Sequence, residues 1–127
     1  MRPALLTAYR NTVYRAAGIE CRIGRRTDAM DRLLVEHGVR QAVFVTAFNP
    51  LSRAMPPGWN RRMQARLAEA LRRRRVLPGN GRWRRWSEAH ALVFGDPRPI
   101  RRMAMRFRQN AVVVVRLRHP IRLAILV

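Results

Sequence analysis

Two uninterrupted apolar runs mark the interior of this chain, at residues 42–45 and 111–115. Strands that are apolar on both faces belong in the middle of a covered sheet. The first run ends in Thr46 and in the pair Asn49-Pro50, and a residue before proline is pushed out of the α region. The pattern therefore predicts a buried central strand that carries Thr46 and Asn49 to the rim of the sheet, where open α/β sheets often bind ligands.

Apolar positions that recur at spacings of three and four predict four helices, over residues 3–14, 28–37, 61–74 and 97–108. Thr27 is the predicted N-cap of the second helix, and Asn60 that of the third. The nine residues 51–59 form a long loop before the third helix, and long loops at the end of a buried strand often carry function.

Period-two alternation predicts further strands over residues 19–23 and 83–94, with a turn at residues 78–81. Residues 121–127, after Pro120, are predicted to form a last strand. Pro120 places the last strand at an edge of the sheet, because proline cannot donate to a strand ladder. The predicted fold class is α/β (α+β). We expect a single domain over residues 1–127, with one mixed β-sheet of about five to six strands and four helices packed on it.

This topology gathers polar side chains at one rim. If the strands near residues 88–94 and 111–115 both run antiparallel to the central strand, their starts lie beside its end, and a right-handed crossover through the fourth helix fits that arrangement. The predicted ligand site then consists of Thr46, Asn49, Asn60, Gln109 and Arg22, with Glu88 as the candidate general acid or base and residues 51–59 as a lid. A structural reading stays open: Asn49 forms a turn, Asn60 caps its helix and Glu88 pairs with an arginine such as Arg22.

Charge widens the range of partners. The chain has 127 residues with a net charge of +20, and all 27 basic residues are arginine against only seven acids. A GC-rich genome explains arginine in place of lysine, but it does not explain the shortage of acids. Such a charge predicts attraction to polyanions, so nucleic acid or an anionic small molecule is an expected partner. Non-specific adhesion to RNA is the alternative.

Known chemical motifs are absent from the sequence. It contains no phosphate-binding loop, dinucleotide fingerprint or nucleophile elbow, and with one cysteine and three scattered histidines no metal site is expected. Cys21 is expected to be buried and unreactive, and no cofactor is predicted. No segment suits a signal peptide or a membrane helix, so we expect a cytoplasmic protein, with its oligomeric state left open.

Several short motifs occur together in order: T-x-Y at 12–14, R-I-G at 22–24, T-A-F-N-P at 46–50, W-S-E at 86–88 and R-F-R-Q-N-A at 106–111, with Asn60 and Gly95 between them. In this respect the chain resembles a small bacterial family, domain of unknown function 3293. The resemblance covers roughly residues 9–115 and implies no activity. Arg108 departs from the pattern, where a small residue is expected before Gln109.

Three functions remain open from the sequence. The first is a binding module for an anionic ligand, nucleotide-like or RNA, that uses the polar rim. The second is a hydrolase-type enzyme with Glu88 as general acid or base. The third is a protein–protein interaction or regulatory protein with no small ligand, which would need an exposed apolar patch.

Overall fold

The computed structural model describes all 127 residues, Met1–Val127. Four α-helices and seven strands follow one another along the chain: α1 (Pro3–Asn11), β1 (Val13–Ala16), β2 (Ile19–Cys21), α2 (Asp28–Glu36), β3 (Gln41–Val45), α3 (Pro57–Ala70), β4 (Val76–Trp83), β5 (Trp86–Phe94), α4 (Pro97–Arg106), β6 (Ala111–Arg116) and β7 (Arg122–Ile125). The strands form one sheet in the order β2-β1-β4-β5-β3-β6-β7. Every pairing is antiparallel, so the predictions of a mixed sheet and of five to six strands were wrong.

The apolar runs are interior strands, as predicted. β3 pairs with β5 on one side and with β6 on the other, and both neighbours run antiparallel to it. β7 is an edge strand, also as predicted. Consequently the starts of β5 and β6 lie beside the end of β3, which is the arrangement that brings polar residues to one rim.

Alternate residues of the central strands supply two separate cores. Phe44 belongs to the core that α2 covers with Met30 and Leu34. Val45 belongs to the opposite core, which Leu67 of α3 and Ile100 of α4 complete. Side chains alternate between the two faces of a strand, so a strand covered on both faces must be apolar throughout. None of the four helices has the length and apolar character needed to cross a membrane.

The first helix is shorter than its apolar period predicted. It ends at Asn11, and Tyr14 lies in β1, where it pairs with Cys21 of β2 and Gly81 of β4. The Tyr14 ring is buried against Phe44, with ring centroids 5.7 Å apart. Pairing on both sides of β1 and burial of a large aromatic ring outweigh the weak helical preference of this segment.

The predicted turn at residues 78–81 was also wrong. These residues lie inside β4, and the reversal occurs at Arg84 and Arg85. A Cβ added at Gly79 would lie 2.7 Å from the Arg15 backbone oxygen. Gly79 therefore allows close approach of β1 rather than a turn.

Two helix ends have informative chemistry. The N-cap of α3 is Pro56, so Asn60 lies within the helix and the prediction of Asn60 as its cap was wrong.

At the end of α4, Arg108 adopts a left-handed conformation with φ +54°, and the Gln109 N–H donates to the Ala104 carbonyl at 3.0 Å. Glycine is favoured at such a position, which gives a physical reason for expecting a small residue there. The Thr27 cap of α2 is present as predicted.

Candidate functional site

A cavity of about 390 Å³ lies at the end of β3, beneath α1 and beside the tip of the β4–β5 hairpin. Its polar lining includes Thr46, Asn49, Glu88 and Gln109, which come from three separate segments of the chain. The topology thus brings together four of the residues that the sequence assigned to a ligand site. The volume falls within the range of small-molecule sites, about 300–1,000 Å³.

Two predicted site residues lie elsewhere. Asn60 is buried but does not line the cavity, and Arg22 is exposed beyond the end of β2. Residues 51–59 contribute only Ser52 to the lining, so they do not form the predicted lid. The cover comes instead from Leu5, Ala8 and Tyr9 of α1.

Asn49 is the structural hub beside the cavity. It adopts a left-handed conformation, with φ 48° and ψ 67°, which asparagine tolerates better than most residues. Its backbone N–H donates to Asn60 Oδ1 at 2.9 Å, and its Oδ1 accepts from Asn60 Nδ2 and from the Met55 N–H, each at 2.9 Å. Asn60 therefore supports the site from behind, by fixing both the backbone and the side chain of Asn49.

Glu88 is the acid of the cavity. Asn49 Nδ2 donates to Glu88 Oε2 at 2.8 Å, so the hub orients this carboxyl group, and the predicted alternative partner Arg22 is not involved. Burial raises the pKa of Glu88 above its ordinary value, while hydrogen bonds from Asn49 and Trp86 act in the opposite direction. A part-buried carboxyl group with a raised pKa and a fixed orientation suits a hydrogen bond to a ligand or a proton transfer.

The side chains of Thr46 and Gln109 differ in how many of their hydrogen-bonding groups find partners within the protein. Thr46 Oγ1 donates to the Ala89 carbonyl at 2.6 Å and accepts from the Phe48 N–H at 3.0 Å. Gln109 Nε2 donates to the carbonyls of Phe48 and Phe107, at 3.0 and 3.3 Å. No protein group donates to Gln109 Oε1. Every fully buried side-chain oxygen in the protein has a hydrogen-bond partner, so Gln109 Oε1 is not fully buried. This oxygen is therefore accessible from the cavity, whereas the Thr46 hydroxyl is committed to the backbone.

Aromatic rings form much of the remaining wall. His90 packs edge-on against Tyr14 and Phe44, with ring centroids 5.6 and 6.5 Å apart. The Nδ1 atom of His90 lies 3.1 Å from the backbone carbonyl oxygen of Glu88. A carbonyl oxygen can only accept a hydrogen bond, so Nδ1 carries the proton. Burial lowers the pKa of His90 to about 4. The imidazole is consequently neutral at pH 7.

Tyr9 and Tyr14 were interpreted from the sequence as packing residues at the edge of the core, yet both line the cavity. Burial raises the pKa of each phenol, and the nearby Glu88 charge acts in the same direction. Both side chains are therefore neutral at pH 7 and offer hydroxyl groups near the Glu88 carboxyl. Periodicity did not reveal this role, because it depends on how α1 and β1 fold over β5.

Positive charge lies at the mouth of the cavity. Arg84 and Arg85 form the exposed hairpin turn and line the opening together with Trp83 and Trp86. The Arg84 guanidinium lies 4.6 Å from the centroid of the Trp83 ring, a cation–π contact. The site therefore has one acid inside and two cations outside.

The family described as "Protein of unknown function (DUF3293)" matches residues 45–112. The chain belongs to this family. No curated protein and no solved structure matches the chain. In this DUF3293 protein the matched segment contains Asn49, Asn60, Glu88 and Gln109, whereas Tyr9 and Tyr14 lie before it.

Proposed function

We propose that this protein binds a nucleotide-like small molecule, with its planar ring inside the cavity and its anionic group at the opening. The observation that carries the proposal is the polarity of the cavity: Glu88 lies inside it, while Arg84 and Arg85 line its exposed edge. An anion placed deep in the cavity would meet the Glu88 carboxylate, whereas an anion at the opening meets two guanidinium groups.

The lining also suits a flat, polar-edged ring. Tyr9, Tyr14 and Trp86 supply aromatic surface on which a heterocycle stacks. Glu88 accepts hydrogen bonds from N–H groups on the ring edge, and the accessible Gln109 Oε1 is a second acceptor. Two acceptors in the same cavity favour a ring edge that carries several donors.

Isothermal titration calorimetry tests this proposal. The ligands are ribonucleoside 5′-monophosphates, the corresponding nucleosides, ribose 5-phosphate and inorganic phosphate. At least one monophosphate should bind more tightly than its nucleoside, and inorganic phosphate should bind weakly. Glu88→Gln should weaken the monophosphate and the nucleoside alike, by about tenfold or more, because a hydrogen bond to a charged group contributes about 1.5–3 kcal/mol. Arg84→Gln/Arg85→Gln should weaken only the monophosphate.

The matched control is Arg73→Gln/Arg74→Gln, which removes the same charge from an exposed segment after α3 that does not line the cavity. Its affinity for the monophosphate should equal that of the wild type. The proposal is wrong if no nucleotide or nucleoside binds, if inorganic phosphate binds as tightly as the nucleotide, or if both arginine pairs have the same effect.

A second candidate function is hydrolysis of the bound ligand, with Glu88 as general acid or base. The observation that favours it is the raised pKa of a carboxyl group that lines a ligand-sized cavity. Chromatography of the reaction mixture tests it, by detecting release of inorganic phosphate or of the free base. Glu88→Gln should abolish turnover, and absence of product with a bound nucleotide would exclude hydrolysis. The interaction-protein alternative has no comparable support, since the exposed large apolar residues come from both termini, the segment after β3 and the elements α2, β5, α4 and β7.

A further inference from the structure

Two adjoining grooves meet near Gln41, at the start of β3. The first, of about 520 Å³, is lined by Arg40, Arg98, Arg101 and Arg122. The second, of about 610 Å³, lies against α1 and β7 and is lined by Arg10, Arg116 and Arg122. Gln41 and Arg122 line both grooves, so the two form one continuous track, which we call the arginine track.

The arginine track has little opposing charge. Asp96 is the one acidic residue along either groove, and it already binds Arg98, with Nη2 and Oδ2 2.8 Å apart. Arg40, Arg101, Arg116 and Arg122 take part in no ion pair. Cations that converge on a concave surface focus the positive potential there more strongly than cations on an open face.

The start of α4 does not provide the binding groups of this track. Pro97 and Pro99 have no N–H to offer, and the Arg98 N–H donates to Asp96 at 3.0 Å. Anion binding at this place therefore depends on arginine side chains, which are distributed over the two grooves. Several cations spread over two adjoining grooves fit a ligand with repeated negative charge better than they fit a single phosphate.

We propose that the arginine track binds the phosphate backbone of single-stranded nucleic acid. A single strand can enter a groove, whereas a duplex presents a convex cylinder that contacts only the rims. Leu6, Leu123 and Ile125 supply apolar surface in the second groove for sugars and bases. The lining has no Trp, Tyr or Phe on which bases could stack, so binding is largely independent of sequence.

This proposal is independent of the cavity. The cavity and the arginine track share no lining residue. The second groove shares α1 and β6 with the cavity, but the first groove lies at Gln41, at the opposite end of β3 from Thr46 and Asn49. Five strand residues span about 16 Å at about 3.3 Å per residue. Substitutions at Glu88 or at Arg84 and Arg85 should therefore leave binding of a single strand nearly unchanged, so failure of one proposal does not imply failure of the other.

Fluorescence anisotropy with a short fluorescein-labelled oligouridylate tests the arginine track. The variant Arg40→Gln/Arg101→Gln/Arg122→Gln removes three positive charges and keeps Arg98 in its ion pair with Asp96. The matched control, Arg61→Gln/Arg62→Gln/Arg66→Gln, removes three positive charges from exposed positions of α3. Both variants have the same net charge, so a difference between them reports position rather than total charge.

Loss of three phosphate contacts should reduce the slope of log K against log salt by about 2 and the affinity at about 0.1 M salt by about 100-fold, since each contact on a single strand contributes about 0.7 to the slope. The control should lose at most about threefold, because charges beyond the Debye length of about 10 Å are screened. Equal losses in both variants would overturn the proposal, as would tighter binding of a duplex of the same length. Track-dependent binding to phosphatidylserine vesicles without binding to the oligonucleotide would assign the surface to membranes instead and overturn it as well.

Discussion

Replacing Asn60 by alanine should destabilise the protein although Asn60 does not line the cavity. The substitution removes the acceptor for the Asn49 backbone N–H, which lies in a buried residue, and one of the two donors to Asn49 Oδ1. Asn49 Oδ1 retains its bond from the Met55 N–H, so one buried donor is left without a partner.

The expected magnitude combines two opposing effects. A buried donor without a partner costs about 1–3 kcal/mol. Alanine is a better helix former than asparagine by about 0.5–0.7 kcal/mol, and Asn60 lies within α3. The net loss in the free energy of unfolding should therefore be about 0.5–2.5 kcal/mol, or about 2–9 °C in Tm for a chain of this size.

Urea denaturation followed by tryptophan fluorescence measures this loss, and an unchanged m-value would show that the unfolded states are comparable. Arg61→Ala is the matched control, because Arg61 is the exposed neighbour of Asn60 in the same helix and should change stability by less than about 0.5 kcal/mol. If Asn60→Ala is as stable as this control, the hydrogen bonds between Asn60 and Asn49 do not stabilise the rim, and Asn60 needs another explanation.

Four further substitutions probe the sheet, a helix end and the cavity. Gly79→Ala should lower the free energy of unfolding by about 1–3 kcal/mol, because its Cβ would lie 2.7 Å from the Arg15 backbone oxygen; urea denaturation without a loss would show that β1 moves away freely. Arg108→Gly should raise the free energy of unfolding by about 0.5–1 kcal/mol, because Arg108 has φ +54°, and a lower Tm would contradict this. His90 has a folded pKa of about 4, below the ordinary histidine pKa of about 6.5, so its contribution to stability is present above about pH 6.5 and is lost as the pH falls towards about 4; His90→Gln should remove this pH dependence in urea titrations. Glu88 has a folded pKa above its ordinary value, so its contribution is present at low pH and is lost as the pH rises through the folded pKa; Glu88→Gln should be as stable as the wild type or more stable at pH 7, and a large loss of Tm would mean that the carboxylate is structural.

The sequence alone determined the parts of the fold that depend on burial along a single segment. The valine run of β6 and the run in β3 indicated interior strands, because a strand covered on both faces has no polar position. Thr27 indicated the start of α2, because the capping interaction is local. The order of these elements placed Asn49, Glu88 and Gln109 at one rim on the assumption that β5 and β6 both run antiparallel to β3, and the structure confirms that pairing.

Only the tertiary structure decided which strands surround that rim and what covers it. Tyr14 lies on a helical period and Gly79 in a turn-like sequence, yet both belong to strands because β1 and β4 pair with each other. Asparagine is a common N-cap residue, but Asn60 lies inside α3. Its side chain bonds to the distant Asn49 and so holds a residue that lines the cavity. The pattern of apolar residues within a segment indicates which positions are buried. Whether the segment becomes a helix or a strand also depends on pairing with residues far away in the chain.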